Sequence, residues 1–155
     1  EAVLRLCVQE REGKRFFCWS TDLNGHYDVY DEPPGSLQLM PYYGLCDADD
    51  PVYRNTVSMI RDEKYPYSFA HKPIAEIGCA HAPHPWVLAV ANSLLCGYEV
   101  TGRRHLLLTE MDNGVACESV DEVTGECVTG AAFATCAGYL AYAIDTAFGA
   151  RGTAV

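Results

Sequence analysis

The apolar positions of this chain fall into runs of helical period, separated by aromatic and proline-rich stretches that lack it. Val3, Leu4, Cys7 and Val8 share one side at helical spacing, so residues 1–11 read as the end of an amphipathic helix. From Lys14 the character changes. Arg15-Phe16-Phe17-Cys18-Trp19 and His26-Tyr27-Asp28-Val29-Tyr30 flank Asp22-Leu23-Asn24-Gly25, and Asn-Gly between aromatic runs predicts a β-hairpin. Pro33-Pro34-Gly35 breaks that strand, and Ser36 can cap a short helix over 37–45. Asp50 as cap with Pro51 at the first helical position starts a helix that runs to about Arg61. Residues 62–82 hold Tyr65-Pro66-Tyr67 and His71-Lys72-Pro73 with little helical period, and read as a long irregular excursion of the kind that often carries function. Further helices are predicted over 86–96 and 99–111, the latter closed by the turn chemistry of Asp112-Asn113-Gly114. A last helix over 129–148 is apolar on nearly every face, which predicts burial, and Gly130, Ala131, Ala132, Ala134, Ala137 and Gly138 would let a neighbour approach closely. The chain is therefore mainly α, a series of helical hairpins with a small inserted β-hairpin.

Length and charge narrow the chemistry. The 155 residues suffice for about one domain with a core of its own. A net charge of -10, from 21 acidic against 11 basic residues, argues against nucleic acid or an anionic membrane as partner. A neutral ligand such as a sugar is easier to accommodate. No apolar run approaches the ~20 residues that span a bilayer, and Arg5, Glu10, Arg11 and Glu12 interrupt the only apolar stretch near the start, so no signal peptide is read there. The eight cysteines, at 7, 18, 46, 79, 96, 117, 127 and 136, are scattered among apolar neighbours without the spacing of a stapled scaffold. Buried free thiols in a reducing cytoplasm are the expectation.

Two acidic sites stand out. Glu118 lies in Ala116-Cys117-Glu118-Ser119-Val120-Asp121, just before Thr124-Gly125-Glu126 and the last helix; Asp31 and Glu32 follow Tyr27-Asp28-Val29-Tyr30. Separated carboxylate sites with aromatic neighbours fit glycoside hydrolysis, in which one group acts as acid and the other as base or nucleophile. The plainer alternatives are that Asp31 and Glu32 end a strand and cap a turn, and that Glu118 caps a helix or sits in a solvated loop. Cys79-Ala80-His81-Ala82-Pro83-His84 offers thiolate and imidazole zinc ligands, with a fourth to come from His71, Glu76 or water. Pro83 and Pro85 restrict that backbone, and no second Cys/His cluster exists. His81, His84 and Trp86 instead suit a sugar pocket, the indole stacking on a pyranose and the imidazoles bonding its hydroxyls, or else a loop packed on the core. Glu76 is a reserve carboxylate and Tyr30 a pocket candidate. No nucleophile elbow, phosphate loop or dinucleotide fingerprint is present.

Two motifs, Tyr-Asp-x-Tyr-Asp-Glu-x-x-Gly-Ser from Tyr27 and Cys-Glu-Ser-x-Asp-x-x-Thr-Gly-Glu-x-x-Thr-Gly-Ala-Ala-Phe-Ala-Thr from Cys117, resemble six-hairpin (α/α)6 glycosidases. The pattern looks like the metal-independent α-mannosidases of glycoside hydrolase family 125 and, more distantly, glucoamylases. The resemblance runs from about Arg15 to Ile144 but covers only the C-terminal part of such an enzyme, so it implies that residues 1–155 form a partial catalytic domain, an incomplete (α/α)6 toroid. It further implies an enzyme that cleaves a terminal α-linked sugar of an oligosaccharide, without metal or other cofactor and by an inverting mechanism. Carried over by position, the glucoamylase-like pattern puts the general acid at Asp31 and the base at Glu118. Read from their residue types, Tyr30, Glu32, Glu76, His81, His84 and Trp86 are the substrate-binding candidates around them. A non-catalytic helical carbohydrate-binding or scaffold module is the alternative.

Overall fold

A computed structural model describes residues 2–29, 36–109 and 115–149. It is mostly helical with three small two-stranded sheets.

The first eleven residues are not one helix. Ala2–Leu6 (α1) is a single short turn of helix, and Val8–Arg11 (β1) is a strand paired antiparallel with Lys14–Phe17 (β2). The turn between them, Glu12-Gly13, has both residues at positive φ, 54° and 74°, the geometry that lets a two-residue loop match the twist of its strands. Phe17 then turns inward, 1% exposed, and its amide donates to Thr56 Oγ1 at 2.8 Å, fixing the hairpin on the next helix. The aromatic hairpin exists in reduced form, Ser20–Thr21 (β3) with Tyr27–Asp28 (β4), so the expected single hairpin is two. The Asp22 carboxylate accepts from the amides of Asn24 and His26 and holds the turn. The helix expected over 37–45 shrinks to a 3-10 turn at Leu37–Leu39, with no side-chain cap from Ser36. Pro41, without an amide hydrogen, and Gly44, at φ 69°, prevent its extension.

Pro51–Ile60 (α2) forms as its start signal predicts: Asp50 accepts from the amides of Val52 and Tyr53, and Pro51 occupies the first turn. Tyr53, Val57 and Ile60 bury one stripe, each side chain contributing about 1.5–3 kcal/mol of apolar transfer. The excursion is irregular, with only an isolated bridge between Ser68 and Ile77. Val87–Leu95 (α3) and Glu99–Leu108 (α4) follow; Met111 and the Asp112-Asn113-Gly114 turn lie outside the described residues.

The C-terminal expectation needs the largest correction. Ser119–Val120 (β5) pairs with Cys127–Thr129 (β6), so the start of the expected helix is a strand. Gly130 at φ 57° and Ala132 at φ 56° keep the chain out of a helix until Ala134–Phe148 (α5) begins. Only Cys136, Leu140 and Ala143 of α5 are buried, a narrow i, i+4, i+7 stripe, and the other apolar residues are wholly or partly exposed. Two core clusters result. One gathers Phe17, Tyr53, Ile60, Ile77 and Trp86; the other gathers Val87, Val90, Leu94, Val120, Cys136 and Leu140. Helix α3 serves both, Ala89 facing the first and Val87, Val90 and Leu94 the second.

Candidate active site

Glu118 sits where these pieces meet. Its amide donates to the carbonyls of Thr129 and Gly130, both at 3.1 Å, and its carbonyl accepts from Val87 at 3.0 Å. Two residues upstream, Ala116 O accepts from Phe133 at 2.8 Å, and downstream Ser119 Oγ meets Thr129 Oγ1 at 2.6 Å. The backbone of Glu118 is thereby held from both sides, by the first turn of α3 and by the segment entering α5. Gly130 lies flat against it: a Cβ there would stand 2.6 Å from Glu118 Cβ. The side chain is half-buried, and none of the described residues gives its carboxylate a hydrogen bond or an ion pair. Cys136, in the first turn of α5, feels it: burial and the nearby Glu118 charge push that thiol up to about 11. A rigidly mounted carboxylate with unused acceptor positions can take a proton from a water or a hydroxyl.

The loop at 79–86 lies next to this seam. Trp86 bridges Ser119, and Val120 donates its amide to Pro85 O at 3.0 Å. The side chains nonetheless divide. The Trp86 indole packs in the first cluster, with its Nε1 buried and unpartnered among the described residues, while Glu118 faces Gly130 and Cys136. His81 is exposed, stacked edge-on to Trp86 with ring centroids 5.1 Å apart and with its Nδ1 3.3 Å from Cys79 Sγ. His84 turns away to Glu122, 3.2 Å off. Cys79, His81 and His84 therefore do not converge as zinc ligands, and among the described residues no group of three or more His, Cys, Asp or Glu could hold a metal.

Glu76 is not on a pocket wall. It is fully buried, accepting from Ser93 at 2.6 Å and from Arg61 at 3.1 Å, so both oxygens are occupied inside the fold. Burial pushes its pKa up while the Arg61 charge pulls it down. The sequence reading missed this cluster, which also includes Gln38. Tyr30, Asp31 and Glu32 lie outside the described residues. A cavity of about 610 Å³, lined among others by Arg11, Lys14, Phe16, Met59 and Tyr65, opens elsewhere, between the first hairpin and the end of α2. None of the described site residues lines it.

Residues 2–144 match the family model of metal-independent α-mannosidases, GH125. The chain belongs to that family. No curated protein matches it. Among solved structures it is similar to a metal-independent α-mannosidase from Streptococcus pneumoniae in a non-productive complex with α-1,6-mannobiose, with a TM-score of 0.77 at 20% identity. That alignment covers 94% of this chain and 36% of the other, so this GH125 chain spans little more than a third of its structural neighbour.

Proposed function

We propose that this chain is part of a glycoside hydrolase domain that releases terminal α-linked mannose by a metal-independent, inverting acid–base mechanism, with Glu118 as the base. The observation that carries the reading is the Glu118 carboxylate, mounted on a backbone fixed from both sides and left without a partner among the described residues. Family membership over residues 2–144 supplies the reaction class. In an inverting reaction the base takes a proton from the attacking water while a second carboxyl protonates the leaving oxygen. Asp31 is our assignment for that acid, with the charge of Glu32 beside it favouring a protonated partner.

His81 and His84 are assigned to sugar hydroxyls together with Tyr30 and Glu32. Trp86 packs edge-on against His81, and Glu76 is left to the interior. The GH125 relative, and the apolar residues exposed on α4 and α5, support a reading of the chain as part of an (α/α)6 toroid whose other hairpins cover those faces. Eight free cysteines suit a cytoplasmic setting.

The test is release of mannose from α-1,6-mannobiose by the intact catalytic domain, with and without a chelator. Equal release in both is expected. Loss of activity on metal removal overturns the metal-independent mechanism, and glycan binding without release assigns a non-catalytic module instead. Asp31→Asn tests the acid: unchanged turnover would move that role to another carboxylate.

A further inference from the structure

Just before the loop that carries His81 and His84, Glu76 belongs to a buried polar cluster that the proposed chemistry does not use. Gln38, Glu76 and Ser93 are fully buried, and the Arg61 side chain is 14% exposed. Arg61 Nη2 donates to Ser93 Oγ at 2.7 Å, to Glu76 Oε2 at 3.1 Å and to Gln38 Oε1 at 2.9 Å, and its Nε reaches the same Gln38 oxygen at 3.1 Å. Ser93 donates to Glu76 Oε1 at 2.6 Å, and the Tyr98 ring centroid lies 5.1 Å from the guanidinium. Four separate segments are joined: the 3-10 turn that follows the acidic motif, the C-cap of α2, the excursion, and the last turns of α3.

Such a cluster is a poor source of stability, because replacing a buried ion pair by well-packed apolar groups is often neutral or favourable. What a fully satisfied network can confer is one relative placement of the segments it joins. The placement of Glu76 passes directly to the histidine loop. Ile77 O accepts from Trp86 at 3.1 Å, Cys79 donates to Ala82 O at 3.2 Å, and a Cβ on Gly78 would lie 2.5 Å from His84 O, so the loop has no slack after Glu76. We propose that Arg61 and Glu76, through Ser93 and Gln38, are positioning residues that set the His81–His84 loop beside the seam holding Glu118. This rests on the reading of that loop as part of the sugar site.

The test separates placement from stability. Arg61→Met with Glu76→Leu removes both charges together, and the double variant is expected to melt close to wild type. Its kcat/KM for α-1,6-mannobiose should nevertheless fall by roughly tenfold, chiefly through KM, and amide exchange over 78–85 should accelerate. Arg61→Lys, which keeps the charge but loses the fork to Gln38, should raise KM with kcat nearly unchanged, and it covers the case in which the double variant does not fold. Wild-type kinetics together with wild-type exchange in either folded variant would overturn the proposal. If the wild-type protein releases no mannose, the sugar-site reading fails, and the exchange measurement still decides whether the cluster holds the loop.

Discussion

His105 shows what burial does to a single side chain here. It is fully buried on α4, with Nδ1 3.4 Å from Ala75 O and Nε2 without a partner among the described residues, and desolvation lowers its pKa to about 4. The folded protein keeps this ring neutral, whereas the unfolded chain protonates it below about 6.5. Its contribution to stability is therefore whole above about 6.5 and is lost as pH falls towards 4, at up to ~1.4 kcal/mol per pH unit. Urea unfolding at pH 7 and pH 5 should show His105→Gln losing less stability than wild type across that interval; equal losses would contradict the assignment. Gly130 makes a second case. A methyl at 130 meets both a left-handed backbone, about 1–2 kcal/mol unfavourable for an L-residue, and Glu118 Cβ at 2.6 Å. Gly130→Ala should thus lower both the melting temperature and kcat. Gly97→Ala, at φ 80° with open space around it, should lower the melting temperature alone.

Among the elements, α2 is the most locally determined, since Asp50, Pro51 and a regular apolar stripe all lie within a dozen residues. Asp50→Ala should cost about 1 kcal/mol in denaturant unfolding, and a negligible change would mean that tertiary packing alone holds the helix start. Helices α3 and α4 were legible without a capping side chain, and the Asn24-Gly25 turn was legible from its own residue types. The first hairpin was not: four residues with helical spacing, Val3 to Val8, mask a strand whose Glu12-Gly13 turn opens on a Glu at positive φ, where Asn, Asp or Gly would have signalled it. Strand β6 was hidden because Cys127-Val128-Thr129 runs without a break into small apolar residues, and its pairing with β5 overrides the local pattern. Of the candidate site, Glu118 and the 79–86 loop were singled out by local composition, and the Trp86–Ser119 bridge sets their backbones side by side. The Arg61 cluster could not, because it joins Gln38 to Ser93 across 55 positions and Arg61 to Glu76 across 15, with no periodic signal linking them.

At the scale of the whole molecule, apolar side chains remain outside on several helices: Val100 is 84% and Leu107 73% exposed on α4, and Ile144 and Phe148 are exposed on α5. Neighbouring hairpins of a larger domain would bury such faces. The isolated 155-residue chain is accordingly expected to bind a hydrophobic dye such as ANS and to self-associate with rising concentration, while a longer chain carrying the remaining hairpins should do neither. A monomeric, dye-silent fragment would count against the partial-domain reading. Mannose release from α-1,6-mannobiose by the Glu118→Gln variant of the intact domain, measured beside wild type at matched melting temperature, decides whether Glu118 is the base of a mannoside-cleaving site. A loss of at least about a hundredfold is expected, the usual worth of a positioned general base; turnover near the wild-type rate would mean that another group, or none, acts as the base.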